Sequence, residues 1–195
     1  MSLDPILAAA WELQEFCQAR AWQFCFIGGI AVQRWGEPRF TADADLTLLT
    51  GFGGEESFID PMLSHFRPRR GDTREFALRN RVLLLAAHNG TPLDVALGAV
   101  PFEENSIRRS SGFPIGEGRA LTTCSAEDLL VHKVVANREK DWLDIEGVLA
   151  RQWGRIDLAV FRDEVQPLLE LRGDPDILVR FDRLHEKLRR RLESH

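Results

Sequence analysis

The 195-residue chain has little of what would mark several function classes. It has no excess of positive charge: 25 Lys and Arg stand against 30 Asp and Glu, a formal net charge of -5. That argues against a generally basic nucleic-acid coat and leaves room for a local basic groove. It has three cysteines, Cys17, Cys25 and Cys124, and no CxxC pair. Neither zinc spacing nor a disulfide framework is present, so reduced thiols and a cytoplasmic location are the expectation. No run approaches the ~18 consecutive apolar residues of a membrane span, so no membrane partner is expected. Met1-Ser2-Leu3-Asp4-Pro5 has no basic stretch leading into an apolar one, and no signal peptide is expected. There is no internal repeat and no low-complexity tract.

The chain is 44% hydrophobic and 28% charged, which favours a folded globular protein over disorder. Its length fits one domain that buries roughly 70% of its unfolded surface. The reading is a single domain over residues 1–195, with an α/β core over 1–122 and a helical lobe over 123–195. Period and punctuation predict a helix over 5–20, a strand over 22–27, a helix from Ile30 to Trp35 and a strand from Phe40 to Leu49. A helix over 55–66 and strands at 76–78, 81–87 and 91–97 follow, with Asn89-Gly90 as a hairpin turn. Residues 101–119 read as irregular, with a short strand near Ile107. Helices are expected over 125–137, 141–152, 157–172 and 175–192, the first opened by Ser125-x-x-Asp128. The fold class is therefore α/β (α+β), a mixed sheet flanked by helices.

Asp43-Ala-Asp45 carries the chemistry. In a strand, residues i and i+2 share a face. Two carboxylates on one face repel unless a cation lies between them, and oxygen ligands suit a hard ion such as Mg²⁺ or Mn²⁺. Asp94 is a lone acid in the apolar strand Thr91-Pro-Leu-Asp-Val-Ala-Leu97, and a shared sheet would set it beside the other two. Three carboxylates form the ligand set of a two-metal phosphoryl-transfer site. Gly28-Gly29, between a strand and a helix, fits a plain turn and also a phosphate cradle at a helix N-terminus. The arginines Arg67, Arg69, Arg70 and Arg74, with Arg108 and Arg109, fit a solvated face or contacts to RNA phosphates. His65, His88 and His132 show no ligand spacing, and His88 beside the turn reads as exposed.

The run Phe26-Ile-Gly-Gly-Ile-Ala-Val-Gln-Arg-Trp-Gly36, then Arg39-Phe-Thr-Ala-Asp-Ala-Asp-Leu46, resembles the nucleotidyltransferase superfamily. It is most similar to the branch of abortive-infection toxins. Gly28, Gly29, Gly36, Arg39, Thr41, Asp43 and Asp45 fit that branch's motif. Where that motif can carry Gly-Ser, this chain has Gly-Gly and so offers backbone N–H groups only. A second block, Ser125 to Lys133 and Arg138-Glu-Lys-Asp141-Trp-Leu-Asp144, is similar to the family's helical motif. The resemblance implies transfer of a nucleoside monophosphate from a nucleoside triphosphate to an acceptor hydroxyl. It implies that Asp43, Asp45 and Asp94 hold the metal and that Gly28, Gly29, Arg39, Thr41, Lys133 and Asp144 attend the nucleotide. Lys133 would be a point charge on the triphosphate, oriented by Asp141 or Asp144. Positions 133 and 144 are eleven apart and share a face if one helix runs through both. The implied acceptor is RNA, such as a tRNA 3′ end, or a protein hydroxyl. The implied partner is an antitoxin. A small-molecule acceptor of the antibiotic type and a non-catalytic nucleotide-binding module are the alternatives.

Overall fold

The computed structural model describes residues 4–193. The chain divides into two compact units: residues up to Ile30 with Phe40–Cys124, and Ala31–Arg39 with Ser125 onward.

The first unit is built on a mixed seven-stranded sheet. Its strands are β1 (Phe24–Phe26), β2 (Ala44–Leu49), β3 (Arg67–Pro68), β4 (Val82–Ala86), β5 (Pro92–Gly98), β6 (Ser111–Gly116) and β7 (Arg119–Thr123), in the order β3-β4-β5-β2-β1-β7-β6. The pairs β2–β5 and β1–β7 are parallel; β1–β2, β3–β4, β4–β5 and β6–β7 are antiparallel. Helices α1 (Pro5–Gln18) and α3 (Glu56–His65) place Leu13, Phe16, Ile59 and Met62 in one buried cluster with Leu46, Leu83, Leu85, Leu93 and Val95 of the sheet. Asp4 caps α1 by accepting the Ile6 N–H at 2.9 Å, and Pro5 takes the first turn, where its missing N–H costs nothing. Side chains alternate across a strand, so the partners of Leu46 and Val95 along the chain, Asp45 and Asp94, point to the other face.

Three expectations need correction. Phe76–Leu78 is no strand: it lies in helix α4 (Thr73–Asn80). Residues 73–80 are mostly good helix formers, and Arg81 in a left-handed conformation (φ 55°) ends the helix by donating its N–H to Ala77 O. The stretch expected to be irregular contains helix α5 (Pro101–Arg109), which takes in Ile107. Pro101 opens it, and the Glu103 carboxylate accepts the N–H groups of Ala99 (2.7 Å) and Val100 (3.0 Å). After α5, β6 and β7 form a hairpin whose turn residues Glu117 and Gly118 both have positive φ, the geometry of a tight hairpin turn. The Asn89-Gly90 turn between β4 and β5 is as expected, with Gly90 at φ +84°.

The second unit is helical. Part of α2 (Gly28–Trp35) belongs to it, with α6 (Ala126–Ala136), α7 (Glu139–Arg151), α8 (Leu158–Arg172) and α9 (Ile177–Leu192). α6 packs against α7 and α8, and α9 against α7. Leu130, Val134, Ile145, Val148, Phe161, Val165 and Phe181 are buried there, with Phe161 stacked on Phe181 at 4.3 Å. The helices expected over 125–137 and 141–152 are two separate elements, so 133 and 144 do not share the face of one unbroken helix. Asn137 adopts a left-handed conformation and accepts the Trp142 indole N–H at 2.8 Å, which folds α7 back from α6. No helix among the described residues is long and apolar enough to cross a membrane.

Candidate active site

β2 and β5 run parallel in a register that sets Asp45 opposite Asp94. Asp43 precedes β2 by one residue. The three carboxylates converge, each half-buried, with ligand oxygens within 4.8 Å of one another. This donor set is all oxygen and formally carries three negative charges, which fits a hard divalent ion and no soft one.

The residues around them hold that geometry. The Thr41 hydroxyl lies 3.2 Å from Asp43 Oδ1 and orients that carboxylate. The Ile27 N–H donates to Asp45 O at 3.0 Å, tying the end of β1 to β2. Gly28 follows at φ +57°. A Cβ there would stand 2.0 Å from Asp45 Oδ2, and a Cβ on Gly29 would stand 2.2 Å from Thr41 Oγ1. No side chain fits at either position while the aspartate and threonine stay in place. The glycine pair is thus a close approach of backbone to the acids as well as the start of α2.

Asp94 has a second partner, the Arg69 guanidinium, which donates to its Oδ1. Burial pushes the Asp94 carboxyl above the usual carboxylate range; Arg69 opposes that shift and the nearby Asp43 charge adds to it. Arg69 was legible only as one member of an arginine cluster. Its neighbours serve acids of their own: Arg70 binds Asp72, and Arg74 binds Asp60 and Glu56. Arg108 donates to Asn105.

In the helical unit, Lys133 is buried at 5% exposure. Its ammonium lies 2.6 Å from Asp144 Oδ2 and 3.1 Å from Asp141 Oδ1. Asp144 in turn receives a fork from Arg39, Nε at 2.7 Å and Nη2 at 2.8 Å. Asp141 receives one from Arg138, Nε at 2.6 Å and Nη2 at 3.1 Å, and also accepts the Arg138 N–H at the start of α7. Burial works to raise both carboxyls. For Asp144, Arg39 and Lys133 outweigh it, and for Asp141, Arg138 and Lys133 do, so both lie below the usual range. Lys133, expected at the triphosphate, here serves two aspartates, and Arg39 and Arg138, at 37% and 60% side-chain exposure, are the solvent-facing cations of the network.

A sequence model of one family matches residues 13–194, nearly the whole chain: the nucleotidyl transferase AbiEii toxin of type IV toxin–antitoxin systems. The chain belongs to the AbiEii nucleotidyltransferase family. It is a nucleotidyltransferase, and its three carboxylates form a cluster that could hold a divalent metal ion. No curated protein matches its sequence. Among solved structures it is similar to an antigenic nucleotidyltransferase-like protein from Paracoccidioides brasiliensis, at 14% identity and a TM-score of 0.51, over 86% of this chain and 88% of that one. It is similar too to the lincosamide antibiotic adenylyltransferase LnuA, at 12% identity and a TM-score of 0.51, over 76% of this chain and 98% of that one. At such identities the likeness is one of fold.

Proposed function

We propose that this AbiEii family member transfers a nucleoside monophosphate from a nucleoside triphosphate to an acceptor hydroxyl on RNA, such as a tRNA 3′ end, or on protein. It does so with Mg²⁺ or Mn²⁺, as a toxin restrained by an antitoxin protein. The observation that carries the reading is the convergence of Asp43, Asp45 and Asp94, with Asp45 directly against Gly28.

Asp43, Asp45 and Asp94 would hold the metal. When bound, the ion would stabilise the charge of the transferring phosphate and lower the pKa of the attacking hydroxyl. The N–H groups at the start of α2 belong to a glycine backbone that a ligand can approach closely, and they suit the triphosphate. Thr41 keeps Asp43 in its ligating orientation. Asp94, whose carboxyl burial raises above the usual carboxylate range, would be the general base that accepts the proton of the acceptor hydroxyl. Arg69 holds that carboxylate meanwhile. Arg39, whose Nε and Nη2 donate to Asp144, remains a candidate to attend the nucleotide. Lys133 acts through Asp144 rather than on substrate.

The test supplies labelled ATP, GTP, CTP and UTP with Mg²⁺, and total RNA or total protein as acceptor. Wild type is compared with Asp43→Ala/Asp45→Ala. Label in RNA or protein with wild type alone supports the reading and shows the acceptor class. No transfer, with nucleotide binding that still depends on the carboxylates, moves the function to a small-molecule acceptor or a binding module. Nucleotide and metal binding indifferent to both aspartates would end the reading altogether.

A further inference from the structure

A second cluster of metal-ligating groups lies on the other face of the sheet. Glu12 is on α1, His65 is the last residue of α3, and His88 follows β4. They are far apart in sequence, which is why spacing alone gave no sign of them. α1 and α3 cover the face that bears Leu83, Leu85, Leu93 and Val95, whereas Asp45 and Asp94 point to the opposite face. The two clusters are therefore separate sites.

The geometry is convergent. One ligand atom from each of Glu12, His65 and His88 falls within 4.8 Å of the others. Glu12 Oε1 is hydrogen-bonded to His88 Nδ1 and lies 4.0 Å from His65 Nε2, so one oxygen faces both imidazoles. Their ring centroids are 5.4 Å apart. Each ligand is held from behind. His65 is packed against the rings of Phe16 (4.8 Å) and Phe66 (4.7 Å). The other Glu12 oxygen accepts the His88 backbone N–H at 3.2 Å. The turn that carries His88 is fastened to α1, because Asn89 donates to Pro5 O at 2.8 Å and accepts the Thr91 N–H at 3.0 Å. His65 also sits in the last turn of α3, where helix carbonyls favour positive charge.

We propose that Glu12, His65 and His88 bind one transition-metal cation of the zinc class. Two imidazoles and one carboxylate form a borderline set that suits Zn²⁺ and leaves a fourth position open; the oxygen-only aspartate set on the opposite face suits Mg²⁺. Tetrahedral zinc, with bonds of about 2.0–2.2 Å, holds its ligand atoms roughly 3.3 Å apart. Small side-chain rotations from the present separations reach that spacing. The histidines also line a cavity of about 300 Å³ with Arg67, Ala86 and Ala87, which gives the fourth position solvent access. Arg67 there favours an anionic fourth ligand. Bound zinc would join α1, α3 and the β4–β5 turn at one point. The cysteines do not compete: all three are buried, and burial pushes the Cys17 thiol up to about 12.

The test is zinc chloride titrated against a chromophoric chelator in the presence of the full, tag-free chain, with thermal unfolding in parallel. Wild type should take up one equivalent at micromolar zinc or below, with a rise in Tm that millimolar Mg²⁺ does not reproduce. His65→Gln/His88→Gln should lose that equivalent and the rise, with an unchanged circular dichroism spectrum. Asp43→Asn/Asp45→Asn/Asp94→Asn should keep both. If the histidine pair cannot be replaced without unfolding, Glu12→Gln carries the test and should bind zinc at least about tenfold more weakly. Overturning results are no uptake by wild type, full uptake by the histidine or glutamine variant, or loss of the equivalent in the aspartate variant.

Discussion

Lys133→Met separates a structural lysine from one that acts on substrate. The ammonium is 5% exposed between Asp141, at 0%, and Asp144, at 4%. Methionine matches the length of the side chain, so the change removes charge and little volume. Breaking a buried ion pair by deleting one partner costs about 3–5 kcal/mol, because the other charge is left without compensation. Here each aspartate keeps a guanidinium fork, Arg39 on Asp144 and Arg138 on Asp141. The expected loss is therefore at the low end, about 3 kcal/mol. For a chain of this size that lowers Tm by roughly 6–12 °C. Urea unfolding and a thermal scan read it directly. A double-mutant cycle with Asp144→Asn should show non-additivity above about 0.5 kcal/mol, since the two groups touch. A variant that unfolds within 2 °C or so of wild type, yet transfers no nucleotide, would refute the reasoning and return Lys133 to the phosphates.

Other expectations follow from the same geometry. Gly28→Ala places a Cβ against Asp45 Oδ2 and should cost more activity than stability: a drop in turnover of about 10²-fold or more, with metal affinity weakened, read by steady-state transfer and metal titration. Asp43→Asn should lower turnover by at least about 10²–10³-fold while the unfolding midpoint stays put or rises, because one of three mutually repelling charges is gone. Arg69→Met should move the Asp94 carboxyl still further up, since the guanidinium is what opposes burial there; titration followed by carboxyl NMR checks it. Asp141 and Asp144 give the acid limit. Their folded pKa values lie below the unfolded value, so the stability they contribute is complete above about pH 4 and is lost as pH falls through the folded values. Helical circular dichroism should begin to fail below that pH, and Asp144→Asn should flatten the dependence.

The site was legible where the chemistry is local in sequence. Asp43 and Asp45 are two residues apart, close enough to converge although β2 begins only at Ala44 and the Thr41 hydroxyl, not the strand period, orients Asp43. Asp94 was legible because an acid in an apolar strand calls for a partner. What escaped depends on tertiary neighbours. Phe76–Leu78 is too short to show a period, and its helix is fixed by Arg81 at one end. Pro101 was read as a mark of irregular chain, whereas it opens α5 because Glu103 satisfies the backbone there. Lys133 and Asp144 do meet, but from two helices either side of Asn137, a contact that no periodicity shows. Arg69 finds Asp94 from 25 residues away, and Glu12 finds His88 from 76.

The register of β2 on β5 has a consequence for how such a protein can change. Neighbouring strands lie about 4.8 Å apart whatever the chain does elsewhere. The Asp45–Asp94 separation is thus a spacing of the sheet rather than an achievement of any loop. Turns between the two strands, such as the Gly51–Gly54 loop, can vary in length without changing that register, whereas Arg69, also between them, must keep its hold on Asp94. Acceptor specificity could drift there, with new substrates explored on inserted chain, while the two aspartates stay in step.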